Sequence, residues 1–260
     1  MKLSVVTVCY NSAKTIANCV NSVCNLAIND MEYIVIDGLS VDNTVNIVKE
    51  YIPVFKSKNI PIKVISEKDN GIYDAMNKAI EIAEGDWIIY LNSDDCFVSA
   101  DCLNPFFANN YDNYEVVYGN VIIQSGNMRV YQKPRELERL KSGTEMPFCH
   151  QAAFTKKDVL EHYRFDEQYR IIADIDLYLR IFENGGTFFY IDEYMSVFSD
   201  EGISQTRRIE SIKEGKRLLQ NHNCYTFERK IVLNGYIIWY WMKKKLPASM
   251  TTFIKKIAGL

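Results

Sequence analysis

Two acids, Asp94 and Asp95, close an apolar run from Trp87 to Leu91 in the stretch IIYLNSDDCF. Adjacent carboxylates repel, so water, a helix N-terminus or a cation must stabilise the pair. At a strand-to-loop transition both side chains can reach one site. Hard divalent cations take one or two carboxylates together with substrate phosphates. The plain alternative is a capping motif or a solvated loop, since Asp is a common turn residue. Asp37 ends another apolar run, in YIVIDGLSVDNT. A carboxylate there accepts from an imide N–H or a ribose hydroxyl, or else closes an Asx-turn, with Asp42 capping the next helix. The stretch SEKDNGIYDAMNKA (66–79) delivers a helix start, which favours anions, through the turn Asp69-Asn70-Gly71. Tyr73, Asp74 and Asn77 lie on its first turns. Asp174 and Asp176 open an apolar helix in RIIADIDLYLRIF. One acid in a first turn compensates the helix dipole. A second, beside Ile172 and Leu177, faces a semi-buried cleft, where a carboxylate acts as a base. His150-Gln151 in FCHQAAF are polar core groups or substrate contacts. His162 and His222 sit in charged, helix-like surroundings and receive no role.

The elements that position these groups follow from apolar spacing. Residues 3–9, LSVVTVC, predict a buried parallel strand. Ile16, Cys19, Val20, Val23 and Cys24 then repeat at helical spacing. Strands are predicted at Tyr33–Ile36, Ile62–Ile65 and Trp87–Leu91, with helices over 43–51 and Ile72–Ala83. Right-handed crossovers lay four such strands in a parallel sheet with helices on both faces. Ligands bind beyond the carboxyl ends of such strands, and Asp37, Asp69 and Asp94 all fall at that rim. After residue 96 the rhythm changes. A hairpin is predicted over 114–124 and 128–133 with its turn at Gly126-Asn127. A helix over Ala173–Glu183, a strand through TFFYIDEYMSVFSD and a charged helix over 204–220 complete the pattern. No Pro/Gly-rich linker appears, so 1–225 reads as one domain with two regions, 1–96 and 97–225.

Composition bounds the classes. The chain has 260 residues, 48% hydrophobic and 24% charged, which is globular. Seven Cys without CxxC spacing read as reduced core residues rather than disulfides or zinc ligands. The short apolar start is a first strand and not a signal peptide. No GxGxxG follows the first strand and no GxxxxGK[ST] occurs, which argues against a dinucleotide fingerprint and a P-loop. The net charge is −3, yet the last 32 residues carry seven Lys/Arg and no acid. An acidic body argues against nucleic acid as partner. The segment 226–260 contains KIVLNGYIIWYWMKKK, whose apolar core of about a dozen residues is short of the roughly 20 needed to span a bilayer. Its aromatics and lysines suit an interfacial helix on an anionic membrane surface, or equally a helix packed on the core.

Taken in order, SVVTVCYNSAKTI, YIVIDGLSVDNT, SEKDNGIYDAMNKAI, GDWIIYLNSDD, CHQAAF and ADIDLYLRI resemble the family 2 glycosyltransferases over about residues 3–205. The SEKDNGIYDAMNK stretch is similar to the branch with bacterial colanic acid and O-antigen transferases. The resemblance implies an α/β fold of the GT-A type: a Rossmann-like, mostly parallel sheet with flanking helices, plus the basic aromatic C-terminal helix. It implies that Asp37 recognises the uracil of a UDP-sugar and that Thr7, Tyr10 and Asn11 line the base pocket. Asp69 and Asn77 would lie near the sugar-phosphate, with Asn92 and Ser93 on the nucleotide. Asp94 matches the last acid of the family's DxD metal motif, so Asp94 and Asp95 become candidates for Mn²⁺ or Mg²⁺, with Asp95 also able to brace the loop. Asp174 matches the catalytic base, Asp176 being its rival. His150 and Gln151 would sit on the acceptor side, and EGIS (201–204) over the diphosphate. Asn92 stands where the family usually has the first Asp of the motif, Ala173 where it has an acid, and Cys9 where it often has Pro.

The activity implied is transfer of a hexose, glucose or galactose, from a UDP-sugar to a lipid-diphosphate-linked, GlcNAc-type acceptor such as an undecaprenyl carrier. The anomeric carbon inverts, giving a β-glycoside for surface polysaccharide. The site of action would be the cytoplasmic face of the cell membrane. Competing classes are a nucleotidyltransferase, for which the first loop, VCYNSAKT, is neither Gly-rich nor basic, and a non-catalytic nucleotide-sugar-binding module.

Overall fold

A computed structural model of the chain describes residues 1–28, 30–199 and 206–243. Strands β1 (Leu3–Cys9), β2 (Met31–Asp37) and β4 (Trp87–Tyr90) are buried along their whole length, as strands covered on both faces must be. With β3 (Ile62–Ser66) they form a parallel set in the order β3-β2-β1-β4. Helix α1 (Ile16–Cys24) buries the five residues that the helical spacing singles out. The predicted helix over 43–51 is instead two short ones, α2 (Thr44–Glu50) and α3 (Ile52–Ser57). Pro53 lies at the start of α3, where its missing N–H costs nothing. Helix α4 (Ile72–Ile82) covers the opposite face of the sheet with Ala75, Met76, Ala79 and Ile80.

Beyond β4 the sheet continues with mixed directions. A two-residue strand, β5 (Cys96–Phe97), and a short helix, α5 (Asn104–Phe107), lead to the hairpin of β6 (Val116–Ser125) and β7 (Met128–Gln132). Gly126 takes the positive φ that this turn requires. A 3₁₀ turn, His150–Ala152, opens β8 (Ala153–Lys156), which runs antiparallel between β4 and β6. Helices α6 (Lys157–Tyr163) and α7 (Ala173–Glu183) join α4 on one face. β9 (Phe188–Ser199) pairs parallel with β6 and antiparallel with β5. The first half of the sheet is thus all parallel, and the second carries the antiparallel pairs.

Helix Arg208–Asn221 packs on this body, and helix Phe227–Lys243 packs on it in turn. Leu233 is buried, and Ile237 and Tyr240 lie against the core. The outer side of the same helix leaves Phe227, Ile231, Ile238 and Trp241 exposed. Among the described residues no helix is long and apolar enough to cross a membrane. All seven cysteines are free, and four are buried.

Candidate active site

The carboxyl ends of β1, β2, β3 and β4 meet at one rim, and their loops are tied together. The Asn11 backbone N–H donates to Ser40 Oγ at 2.7 Å, and Asn11 Oδ1 accepts from the Val41 N–H at 3.0 Å. Ser12 N–H donates to Thr44 Oγ1, and Ala13 N–H to Asp42. Asp42 also accepts the Thr44 N–H, the local cap expected of it. Ser93 Oγ donates to Ser12 Oγ at 2.8 Å, joining the β4 loop to the β1 loop. Tyr10, 61% exposed, stands open at this rim. Asp69 accepts the Gly71 N–H at 3.0 Å and lies against Gly38. A side chain at 38 would run into the Asp69 carboxylate, so the close approach needs glycine.

Three of the expected donor residues do something else. Thr7 is fully buried in the core and accepts from the Tyr33 hydroxyl at 3.0 Å. Asn77 spends its amide on the Phe165 backbone, donating to the carbonyl and accepting the N–H, both at 2.9 Å, so it fixes the α6–α7 connection. Asp37 is inaccessible: Ser40 Oγ donates to Oδ1, while Ser66 Oγ and the Ser40 N–H donate to Oδ2 at 2.6 and 2.9 Å. The Cys9 thiol also points at it, and burial first, then Asp37 itself, pushes that thiol well above its usual pKa. As folded, Asp37 braces the loop Gly38–Ser40.

The two adjacent acids separate cleanly. Asp94 is exposed. Asp95 is 3% exposed and accepts from Gln151 Nε2 at 2.9 Å and from the Ser199 N–H at 3.3 Å. Burial, with Asp94 next door, pushes its pKa up to about 7. Asp95 is therefore a brace between loop, 3₁₀ turn and β9, and the expectation that it ligates a metal is corrected. Gln151 is likewise buried and spends its amide N–H on Asp95. A lone exposed carboxylate at the rim still fits a hard cation that takes its remaining ligands from phosphates. Among the described residues no group of three or more His, Cys, Asp or Glu side chains is placed to hold a metal by itself.

The helix places Asp174 and Asp176 in different surroundings. Asp176 is 3% exposed, accepts from Arg180 Nε at 2.7 Å and lies 3.3 Å from His222 Nε2. Arg180 in turn holds the Tyr163 and Arg164 carbonyls. Asp176 is thus committed to a structural network, on a turn face of α7 away from the rim. Asp174 sits at the other side of that first turn. Its Oδ2 is 3.3 Å from His150 Nδ1, and its Oδ1 is 3.2 Å from the Tyr73 hydroxyl. Burial, and then the charge of Asp174, keep Tyr73 protonated by pushing its pKa well up. His150 Nε2 lies 3.3 Å from Asn92 Nδ2. An amide N–H can only donate, which leaves the His150 proton on Nδ1 facing Asp174. Turning the amide over would offer Oδ1, a buried atom with no partner, to a proton on Nε2. The chain Tyr73–Asp174–His150–Asn92 therefore links α4, α7, the 3₁₀ turn and the β4 loop at one place.

Two supports escaped the sequence reading. Glu214 accepts the Arg170 and Ile171 N–H groups, both at 2.9 Å, just before α7. Arg170 reaches across to the Asn70 carbonyl at the start of α4. Nothing in the sequence separates Glu214 from the other charges of its helix. EGIS (201–204) lies outside the described residues. A cleft of about 950 Å³ opens at the other end of the strands, among Asp30, Glu84, Asp86 and Asp158, and touches none of the site residues.

With this geometry in place, the glycosyl transferase family 2 pattern matches residues 4–166. The chain belongs to glycosyl transferase family 2. This transferase is 30% identical over 184 residues to a PGL/p-HBAD biosynthesis glycosyltransferase of Mycobacterium tuberculosis, covering 70% of each chain. It is also 30% identical over 188 residues to Escherichia coli chondroitin synthase, covering 68% of this chain and 26% of that one. Its fold is similar to S. aureus TarS 1–349 in complex with UDP-GlcNAc, with a TM-score of 0.66 at 21% identity over 85% of this chain and 67% of TarS 1–349. It is similar too to the Pyrobaculum calidifontis mannosyltransferase PcManGT in complex with GDP-Man and Mn²⁺, with a TM-score of 0.66 at 16% identity over 91% of this chain and 69% of that one. At such identities the structural likeness speaks for the GT-A fold.

Proposed function

We propose that this transferase moves a hexose from a UDP-sugar to a lipid-diphosphate-linked sugar, with inversion, in the assembly of a surface polysaccharide of the O-antigen or colanic acid kind. The observation that carries the reading is Asp174, held by Tyr73 and His150 at the same rim as the exposed Asp94. The names of its relatives, which make glycolipid and polysaccharide, support the acceptor class. UDP-GlcNAc bound to TarS supports the donor class.

In this reading Tyr10 and the knit loops at 11–13 and 38–41 frame the base, above Asp37. Asn92 Oδ1, buried and unpartnered, is the acceptor that a ribose hydroxyl satisfies after a small shift. Ser93 and Asp69 keep the loops in register beside the diphosphate. Asp94 would hold Mn²⁺ or Mg²⁺, which when bound offsets the charge that grows on the departing diphosphate. Asp174 takes the proton of the acceptor hydroxyl as that oxygen forms its bond to the anomeric carbon. The bond from that carbon to the UDP oxygen breaks with its electron pair on UDP. One in-line displacement inverts the carbon, so an α-linked donor gives a β-glycoside. His150, by facing Asp174 with Nδ1–H, aims the free lone pair of the base at the incoming hydroxyl.

The exposed apolar side of helix Phe227–Lys243, continued by the basic segment to 260, docks the protein on an anionic membrane where such acceptors reside. Removal of 226–260 is expected to abolish binding to anionic liposomes. Unchanged binding would end this part of the proposal.

The experiment is UDP release from a panel of UDP-sugars with a GlcNAc-diphosphate-lipid analogue, in Mn²⁺ or EDTA, for the native protein and for Asp94→Ala and Asp174→Ala. Acceptor-dependent release with one sugar, lost in EDTA and in both variants, is the expected result. Release that persists in EDTA would remove the metal from Asp94, and release by Asp174→Ala would remove the base.

A further inference from the structure

Above the rim, β7, β6, β9 and β5 continue as a ribbon that flanks the site. The register of β6 against β9 slips between Tyr118 and Val121. Residues 191–193 of β9 face the single residue Gly119, and Met195 is a further extra residue, so this stretch of β9 bulges, a device that re-aims side chains beside active sites. Gly119 permits it, because a Cβ there would meet Met195 and the Glu193 carbonyl at under 3 Å. The bulge turns Asp192 onto the same face as Tyr118 and Tyr190. There Asn120 Nδ2 donates to Asp192 Oδ1 at 2.9 Å and Lys133 Nζ to Oδ2 at 2.7 Å. The result is a cleft of about 620 Å³, walled by Lys133 and Arg139, with Tyr190 37% exposed on its floor.

This volume is that of a ligand site, and its lining of aromatic faces edged by fixed polar groups is what a sugar ring needs. Two more rings, Tyr131 and Tyr194, lie 5.2 Å apart on the same face. Tyr190 pairs with Tyr118 and Tyr194 with Asn120, two β6 residues on, about 7 Å at 3.3 Å per residue, so the aromatic surface runs on past Tyr190 along the ribbon. Its position joins it to the chemistry. Tyr118 stacks at 4.5 Å on Phe148, two residues before His150, and lies tilted against Tyr190 at 5.8 Å.

The geometry points to this cleft as a binding site for the saccharide unit beyond the accepting residue, so the acceptor is at least a disaccharide. The inference rests on the transferase reading above and adds the extent of the acceptor. A pyranose face lies on Tyr190, and its ring substituents meet Asp192 and Arg139, while buried Asn120 holds Asp192 and the Tyr190 hydroxyl in place. Arg139 shares Glu145 Oε2 with Arg135 and keeps unspent donors among the described residues.

The test uses the full chain and variants Tyr190→Ala and Tyr190→Phe, with chitobiose, lactose and a chondroitin tetrasaccharide as probes in saturation-transfer NMR. UDP is titrated into the same samples. Transfer to at least one glycan is expected with the native protein and Tyr190→Phe, with affinity weakened roughly tenfold or more in Tyr190→Ala and UDP binding equal in all three. No transfer to any of the three glycans, or transfer that Tyr190→Ala leaves intact, overturns the cleft. Absence of UDP binding in the native protein counts against the donor reading instead, while the glycan arm still decides the cleft.

Discussion

The loops after β1, β2 and β4 reach the rim from neighbouring parallel strands and hold one another through short polar bonds, such as Asn11 to Ser40, Ala13 to Asp42 and Ser93 to Ser12. His150 and Asp174 reach the same rim from a 3₁₀ turn and a helix start far along the chain, held by Tyr73, Glu214 and Arg170. On the proposed reading the loops form the donor side and the His150–Asp174 group the acceptor side, and the donor side is redundant, since many bonds share one job. The acceptor side hangs on few contacts, each over long sequence separation. A single substitution should therefore cost more on the second side than on the first.

The largest effect tests the acceptor side. Asp174→Asn should lower transfer by about 10²–10⁴-fold, the usual worth of a positioned base, and leave UDP binding intact in calorimetry. Loss of UDP binding in that variant would place Asp174 on the donor side and erase the contrast. Next comes the adjacent pair at the rim. Asp95→Ala strands Gln151 and the Ser199 N–H and should cost about 1–3 kcal/mol in denaturant unfolding. Asp94→Ala should leave stability unchanged and abolish the response of activity to Mn²⁺. Equal destabilisation by both would contradict the division into brace and ligand.

Glu214→Gln weakens its hold on the two N–H groups before α7 and should lower kcat by roughly tenfold, about 1.4 kcal/mol, with donor KM unchanged. His222 tests the second network of α7 through pH. Its hydrogen bond to Asp176, more than that to Glu183, raises its pKa above the usual 6.5. The charged contact then stabilises the fold fully below about pH 6.5 and fades as pH rises through the raised value. His222→Gln should lower stability by about 1–2 kcal/mol at pH 6 and by much less at pH 9, read as thermal midpoints. The smallest effect belongs to the donor side, where Ser40→Ala removes one of several loop bonds. UDP affinity should weaken only a few-fold, and a hundredfold loss would show that the donor rim is not redundant.

The parallel half was legible because β1, β2 and β4 are buried on both faces and so read as unbroken apolar runs. α1 and α4 announced themselves by helical spacing. The rim acids were found for the same reason, since each ends such a run. What each acid does was not legible. Asp94 and Asp95 are chemically alike, and only the packing of Gln151 and Ser199 against the second buries and occupies it. Asp174 and Asp176 differ by two positions, about 200° around a helix. Only the places of Tyr73 and His150 on one side, and of Arg180 and His222 on the other, separate the proposed base from scaffold. Asp37, Thr7 and Asn77 carry the family's motif residues, yet the folded chain turns them inward to Ser40, Tyr33 and Phe165. The sequence by itself determined the strand–helix order, the rim and the family. Tertiary structure alone decided which polar groups stay free for a ligand, because hydrogen-bond partners far along the chain compete for the same side chains and satisfy some of them before a ligand can.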